Sequence, residues 1–278
     1  MTAPDAFRAE MRYLVGRGAR FFTFGQLARG EFPGADEIGV AVCFDDCFRN
    51  NYTVGLSILE DLGVRATFFQ STAMVDADDL IWEHRLYWHT RDDVHAAAFR
   101  QAALSEIGAD SGLRALSADQ LVAHLRESVA PEVCERVLAA VDTRSTDAGE
   151  SAAVAQRLYP TADHLRHAHS LGHEIGSHGH RHYKRENISA SLFEHELMVS
   201  SRSLQRILGE PPASFSYPFD SHLPADADVC RRYFSSAATV AKKRIQRDTD
   251  RMWMPRFTWP GPTRNAFRRR RWLLTGTI

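Results

Sequence analysis

The chain has 278 residues, of which 44% are hydrophobic and 25% charged, a balance that excludes wholesale disorder and permits one α/β domain or two small ones. With 34 basic against 35 acidic side chains the formal charge is −1, so no net positive field recommends nucleic acid as a partner. No run reaches the ~20 apolar residues of a membrane span, and residues 1–16 lack a basic region followed by a long apolar run and a small-residue cleavage site, so a cytoplasmic location is expected.

In chain order, a helix is predicted over residues 5–18. The apolar run Ile38-Gly39-Val40-Ala41-Val42-Cys43-Phe44 reads as a buried strand. A helix over 52–62, stopped by Gly63, leads to a second strand over 65–69. Strand, helix and strand of that length form a βαβ unit, hence a parallel sheet with a right-handed crossover.

Residues 76 to about 160 change character. They are rich in Ala, Asp, Glu, Arg and His, with helical periodicity; Leu121, Leu125 and Val129 share one face. A polar loop is predicted over 143–150. A structureless segment of this length is uncommon in a compact chain, so the stretch is expected to be a helical insertion or cap. Alternation then resumes: a helix over 162–171 ended by Gly172, a strand over 173–177, and an amphipathic helix over 189–208 stopped by Gly209 and Pro211. Strands follow at 214–217, 234–240 and 253–257. Repeated β–α units predict a barrel-like α/β architecture in one catalytic domain spanning 1–278, with the chemistry at the C-terminal ends of the strands.

Two constellations carry that chemistry. Asp45 and Asp46 end the first buried strand, where adjacent carboxylates are costly without a cation or donor. Neighbours at a strand end point in different directions, so one can bind a metal while the other faces a substrate. The alternative is an acidic pair at the N-terminus of the following helix. The second constellation is His178-Gly179-His180-Arg181-His182. Across a helical turn, His178 and His182 could present two imidazole nitrogens to one ion, while His180 points elsewhere; polar loop histidines are the alternative. Together the two make a His₂-Asp set with open positions, as in catalytic metal sites, and leave one Asp as general base. The other histidines, His84 among them, read as surface or packing residues. Cys43, Cys47, Cys134 and Cys230 form no CxxC pair, and Cys43 and Cys47, which flank the acidic pair, read as small buried thiols in a reducing compartment. The Arg268–Arg271 run is either a solvated tail or a contact for an anionic substrate or membrane surface.

The ordered trio Phe44-Asp45-Asp46, Ser177-His178-Gly179-His180-Arg181-His182 and Phe215-Ser216-Tyr217-Pro218-Phe219 resembles the polysaccharide deacetylases, the NodB-homology enzymes of carbohydrate esterase family four. Ala66-Thr67-Phe68-Phe69 and His173-Glu174-Ile175-Gly176-Ser177 supply matching context. The resemblance implies a distorted (β/α) barrel of about seven strands carrying the helical insertion. It implies hydrolysis of an N-acyl or O-acyl group on a sugar or aminosugar, carrier-linked forms included, by water activated at a divalent metal. That metal is usually Zn2+, with Co2+, Ni2+ and Mn2+ as alternatives. By the same resemblance Asp45 is the base, Asp46, His178 and His182 the ligands, the Phe219 N–H an oxyanion donor, and Arg256 the group that orients Asp45.

The chain departs from the pattern. Cys47 and Asp220 stand where the family usually has Gly, and Ser216 where many members have Arg. The last family motif, a Leu-x-His supplying a general acid, is not found. His222, His180 or protonated Asp45 are the substitutes. That gap and Cys47 keep open a catalytically weak or inactive metal-binding, glycan-recognising protein, and the pocket walls, expected from the insertion, leave open a hydrolase of a non-sugar amide.

Overall fold

A computed structural model describes residues 3–108, 111–142, 148–241 and 243–257. The chain opens with α1 (Pro4–Gly16), β1 (Arg20–Phe21) and α2 (Phe24–Ala28), then β2 (Gly39–Val40), β3 (Val42–Phe44), α3 (Leu56–Asp61) and β4 (Ala66–Gln70). The insertion supplies α4 (Trp82–Trp88), α5 (Asp93–Ile107), α6 (Ser111–Arg114), α7 (Ala118–Ser128), α8 (Pro131–Asp142) and α9 (Ala148–Leu158). The remainder is α10 (Ala162–Ser170), β5 (Glu174–Ser177), α11 (Ala190–Leu208), β6 (Ser214–Ser216), α12 (Asp226–Cys230), β7 (Ser236–Val240) and β8 (Met254–Arg256).

All pairings are parallel, and β3 to β8 lie side by side in sequence order. The apolar run 38–44, expected as one strand, breaks at Ala41: its first half pairs with β1 and its second with β4. The strands therefore fill seven positions along a curled half-barrel, and among the described residues β8 has no neighbour on its far side. β4 is buried along its whole length, as expected of a strand covered on both faces. Gly176 is needed inside the curl, because a Cβ there would sit 2.7 Å from both the Phe69 ring and Ser214 Oγ.

The end of the sheet opposite the strand C-termini is closed by α2. Glu174 accepts hydrogen bonds from the Gly25 N–H (2.7 Å), Thr67 Oγ1 (3.0 Å) and Ser214 Oγ (2.6 Å), tying that helix to three strand starts. Chemistry is left to the other end. Neither β1 nor α2 was expected from the sequence; both are too short to show a period. The 52–62 helix begins with a π turn over Asn51–Gly55 before becoming α3.

Among the described residues, 76–160 hold six helices joined by short turns and no strand, and most of their buried side chains form a cluster around Leu86, Phe99, Leu121, Leu125 and Leu138, separate from those beneath the sheet. Leu121 and Leu125 are buried as the periodicity predicts, with Val129 packed against the cluster's edge. The polar loop expected over 143–150 is shorter: α9 already runs at 148, and the rest of that loop lies outside the described residues. So does the Arg268–Arg271 run. No described helix is long and apolar enough to cross a membrane.

Candidate active site

The site is assembled from the C-terminal ends of β3, β5, β6 and β8. Asp45 and Asp46 follow β3, His178 follows β5, and Phe219 lies in a tight turn beyond β6. The backbone here is unusual. Of the six non-glycine residues with positive φ among the described residues, five belong to these turns: Asp46 (62°), Cys47 (60°), His182 (58°), Phe219 (58°) and Asp220 (54°). Such conformations cost of order 1–3 kcal/mol each and persist where surrounding contacts over-determine them.

One oxygen of Asp46 lies 3.5 Å from His178 Nε2 and 3.1 Å from His182 Nε2. The three donor atoms all fall within 4.8 Å of one another. The partners of the other ring nitrogens fix the tautomers. His178 Nδ1 lies 2.7 Å from the Ser216 carbonyl and His182 Nδ1 2.7 Å from a Glu83 carboxylate oxygen. Both partners only accept, so each Nδ1 carries a proton and each Nε2 is the ring atom turned to Asp46. Two imidazoles and a carboxylate, each imidazole held from behind by an acceptor, make a set that could hold a divalent metal ion. Burial disfavours the Asp46 carboxylate, but hydrogen bonds to His178 and His182 outweigh it and hold the group far below its ordinary range. Burial likewise lowers His182, while the Glu83 charge and contacts with both carboxylates raise it to about 10. The field at the centre of the cluster favours a positive charge.

The imidazoles do not meet across a helical turn, as the i, i+4 spacing had suggested. Residues 178–183 are an irregular loop, with positive φ at Gly179 and His182. Glu196, on α11, clamps it by accepting from the His180 N–H (3.0 Å) and Arg181 N–H (2.6 Å). On the other side, Thr72 and Ala73 donate backbone N–H groups to the carbonyls of Gly179 and His180.

Asp45 turns away from the cluster to a bidentate pair with Arg256 (2.6 and 2.9 Å). The same guanidinium donates to Ser216 Oγ at 2.7 Å, and that hydroxyl lies 3.4 Å from Asp45 Oδ2. Burial alone would raise the Asp45 carboxyl, but the charges of Arg256 and His178 hold it below the usual carboxylate range. Its side chain stays 35% exposed, so an ionised oxygen faces the opening. Ser216, in the place where many family members carry Arg, receives its guanidinium from Arg256 on β8 instead.

Phe219 sits at φ 58°, ψ 13°, in a tight turn where the next two N–H groups, of Asp220 and Ser221, donate to the carbonyls of Tyr217 and Pro218. The Phe219 ring lies 4.8 Å from the His182 ring. Cys47 takes a left-handed conformation that suits the usual glycine, yet it is fully buried beneath the loop and donates to the Phe44 carbonyl at 3.3 Å. Burial pushes its thiol well above its ordinary value, so Cys47 fills the core and does not narrow the opening.

The two histidines considered as substitutes for the missing acid are engaged elsewhere. His222 packs against the rings of Trp253 (4.8 Å) and Tyr217 (5.2 Å), and none of its described contacts reaches Asp45 or the cluster. His180 is bonded to Thr72 Oγ1 at 2.9 Å, and burial lowers it to about 4. Sequence reasoning missed Glu83 and Arg126, both on the insertion: Glu83 holds His182, and Arg126 forms an ion pair with Glu83. A lone Glu among tryptophans carries no local signal of such a role. His84, taken for a packing residue, bonds to Tyr159 Oη through Nδ1 (2.6 Å) with its ring 5.3 Å from Phe48.

A curled parallel sheet thus gathers paired aspartates and paired histidines, three of them able to hold a metal ion, at its C-terminal edge. The polysaccharide deacetylase family model matches residues 34–233, most of the chain, and the protein belongs to that family. It is thus a hydrolase of carbon–nitrogen bonds other than peptide bonds. The fold is similar to that of IcaB from Ammonifex degensii, with a TM-score of 0.60 and 15% identity over 98% of this chain and 90% of that one. The Streptococcus pyogenes deacetylase PplD, in complex with acetate, gives 0.57 and 14% over 91% and 80%. BC0361, a polysaccharide deacetylase from Bacillus cereus, gives 0.56 and 15% over 92% of this chain but spans to only 57% of its own. No curated protein sequence matches the chain.

Proposed function

We propose that the protein removes the acetyl group from an N-acetylated sugar in a glycan or glycan precursor, with Asp46, His178 and His182 holding a divalent cation, Zn2+ first among the candidates. The observation that carries this reading is the convergence of two Nε2 atoms on Asp46 Oδ1 beside a second, independently anchored carboxylate. When bound, the cation supplies Lewis acidity to the acyl oxygen and lowers the pKa of water at the site.

The chain's own residues do the rest. Asp45, kept ionised by Arg256, takes a proton from the attacking water as its oxygen bonds to the acyl carbon. The Phe219 N–H donates to the oxyanion, a contribution of roughly 3 kcal/mol in comparable sites. The carbon–nitrogen bond then breaks, and Asp45 returns its proton to the leaving amine, freeing acetate. With His222 and His180 both committed elsewhere, Asp45 is the group placed to act in both directions. The acetate bound to PplD fits an acetyl group as the one released.

The test is acetate release from a panel of N-acetylglucosamine oligomers by metal-stripped and zinc-reloaded protein, alongside Asp45→Asn. Zinc-dependent release that vanishes in the variant supports the reading. Stoichiometric zinc binding without turnover of any member would instead favour the glycan-binding alternative.

A further inference from the structure

The helical insertion does more than border the site. Its first helix, α4, is fastened to the histidine loop by two consecutive residues: Trp82 Nε1 donates to the Arg181 carbonyl at 2.8 Å, and Glu83 accepts from His182 Nδ1 at 2.7 Å. Glu83 and His182 are both buried, with side chains 7% and 10% exposed. Burying a carboxylate is unfavourable unless it is paired, and Glu83 is paired twice. Its second oxygen forms a charge-assisted bond with Arg126, which comes from α7. Arg126 also donates to Tyr87 Oη at 2.8 Å and lies over the Phe219 ring, 5.2 Å from its centre. A chain of direct contacts therefore runs from the insertion's α7 through Arg126 and Glu83 to a ring whose other nitrogen faces Asp46. A side branch reaches the turn that carries the Phe219 N–H.

Resting on the metal reading above, we infer that Glu83 and Arg126 are positioning residues of the metal centre, so that the insertion sets the affinity of the His182 position. The physical reason is twofold. An acceptor behind Nδ1 locks the tautomer that leaves Nε2 free to ligate, and a full negative charge there raises the ring's basicity. His182 also holds a left-handed backbone at φ 58°, a conformation that persists where surrounding contacts over-determine it. His178 draws its equivalent support from a backbone carbonyl of the sheet, which no side-chain substitution removes.

The experiment is a zinc competition titration against a chromophoric chelator, with wild type, Glu83→Gln, Glu83→Ala, Arg126→Met and His182→Ala, together with Co2+ absorption spectra and melting of the metal-free proteins. Glu83→Ala is expected to weaken zinc binding by about 10- to 100-fold, as lost carboxylate–histidine support does elsewhere. Glu83→Gln, which keeps an acceptor but loses the charge, should fall between it and wild type and shift the Co2+ bands. Arg126→Met should give a smaller loss in the same direction. Wild-type affinity and an unshifted Co2+ spectrum in folded Glu83→Gln and Glu83→Ala, with zinc lost only in His182→Ala, would overturn the inference and leave the metal reading standing. Absence of zinc binding by wild type would overturn both.

Discussion

The parallel sheet and the helical insertion contribute to one site in different ways. The sheet supplies Asp45, Asp46, His178, Phe219 and Arg256 at strand ends or in turns directly beyond them, so their positions follow from the ladder itself. Among the described residues, the insertion adds no side chain to the Asp46–His178–His182 set. Its part is Glu83, Arg126 and Trp82, which act from behind the histidine loop. The difference teaches that a scaffold can fix ligand identity while an appended subdomain fixes ligand aim, and that the two can be perturbed separately.

The largest effect should come from the sheet. Asp45→Asn is expected to lower kcat by about 10²- to 10⁴-fold, the range for loss of a general base, with zinc content unchanged by metal analysis; a variant that also lost zinc would show that Asp45 belongs to the ligand set. Next, the two cores can be compared directly. Leu125→Ala in the insertion and Leu204→Ala beneath the sheet both truncate fully buried side chains and should each cost about 2–5 kcal/mol in urea unfolding. Only Leu125→Ala should also weaken zinc binding, because α7 carries Arg126. Equal zinc affinities in the two variants would dissolve the proposed division of labour.

Smaller effects test the scaffold alone. Arg256→Lys keeps the charge but loses the two-pronged contact with Asp45, and should reduce kcat more than it raises KM; a change confined to KM would place Arg256 in substrate binding instead. His173 tests pH dependence away from the site. It accepts from the Ala66 N–H through Nδ1 (3.2 Å) and lies 2.9 Å from Glu60 through Nε2. Burial, only partly opposed by Glu60, lowers its pKa below the ordinary 6.5. The folded state therefore prefers the neutral ring, and the unfolded state binds more protons as pH falls. Stability from this group is complete above about pH 6.5 and drains away as pH falls through the lower folded value. The urea midpoint should decline on acidification, and less steeply in His173→Asn. The smallest change is expected for Cys47→Gly, where relief of a left-handed backbone offsets the lost thiol packing, leaving stability within about 1 kcal/mol of wild type.

Much of this was legible in the sequence because it is local. The strand around 38–44 announced itself by an unbroken apolar run, α11 by its stripe and by Gly209, which adopts the left-handed conformation at the helix end. Asp45, Asp46, His178 and His182 stood out as clusters of ligand-type side chains at strand ends. What misled was spacing read as geometry. An i, i+4 histidine pair suggests a helical turn, but Gly179 and the clamp from Glu196 make a loop that brings the same nitrogens together. Likewise the break at Ala41 came from competition between β1 and β4 for successive halves of one strand, which no window of residues can show.

The sequence by itself determined the longer elements and the chemical inventory, since hydrophobic period, helix stops and adjacent carboxylates are properties of neighbours along the chain. The tertiary structure decided which groups act together. Glu83 lies 99 residues from His182, and Arg256 lies 211 residues from Asp45. Hydrogen bonds act over about 3 Å whatever the separation along the chain, so only the folded arrangement could make a glutamate of the insertion the partner of a histidine on the sheet.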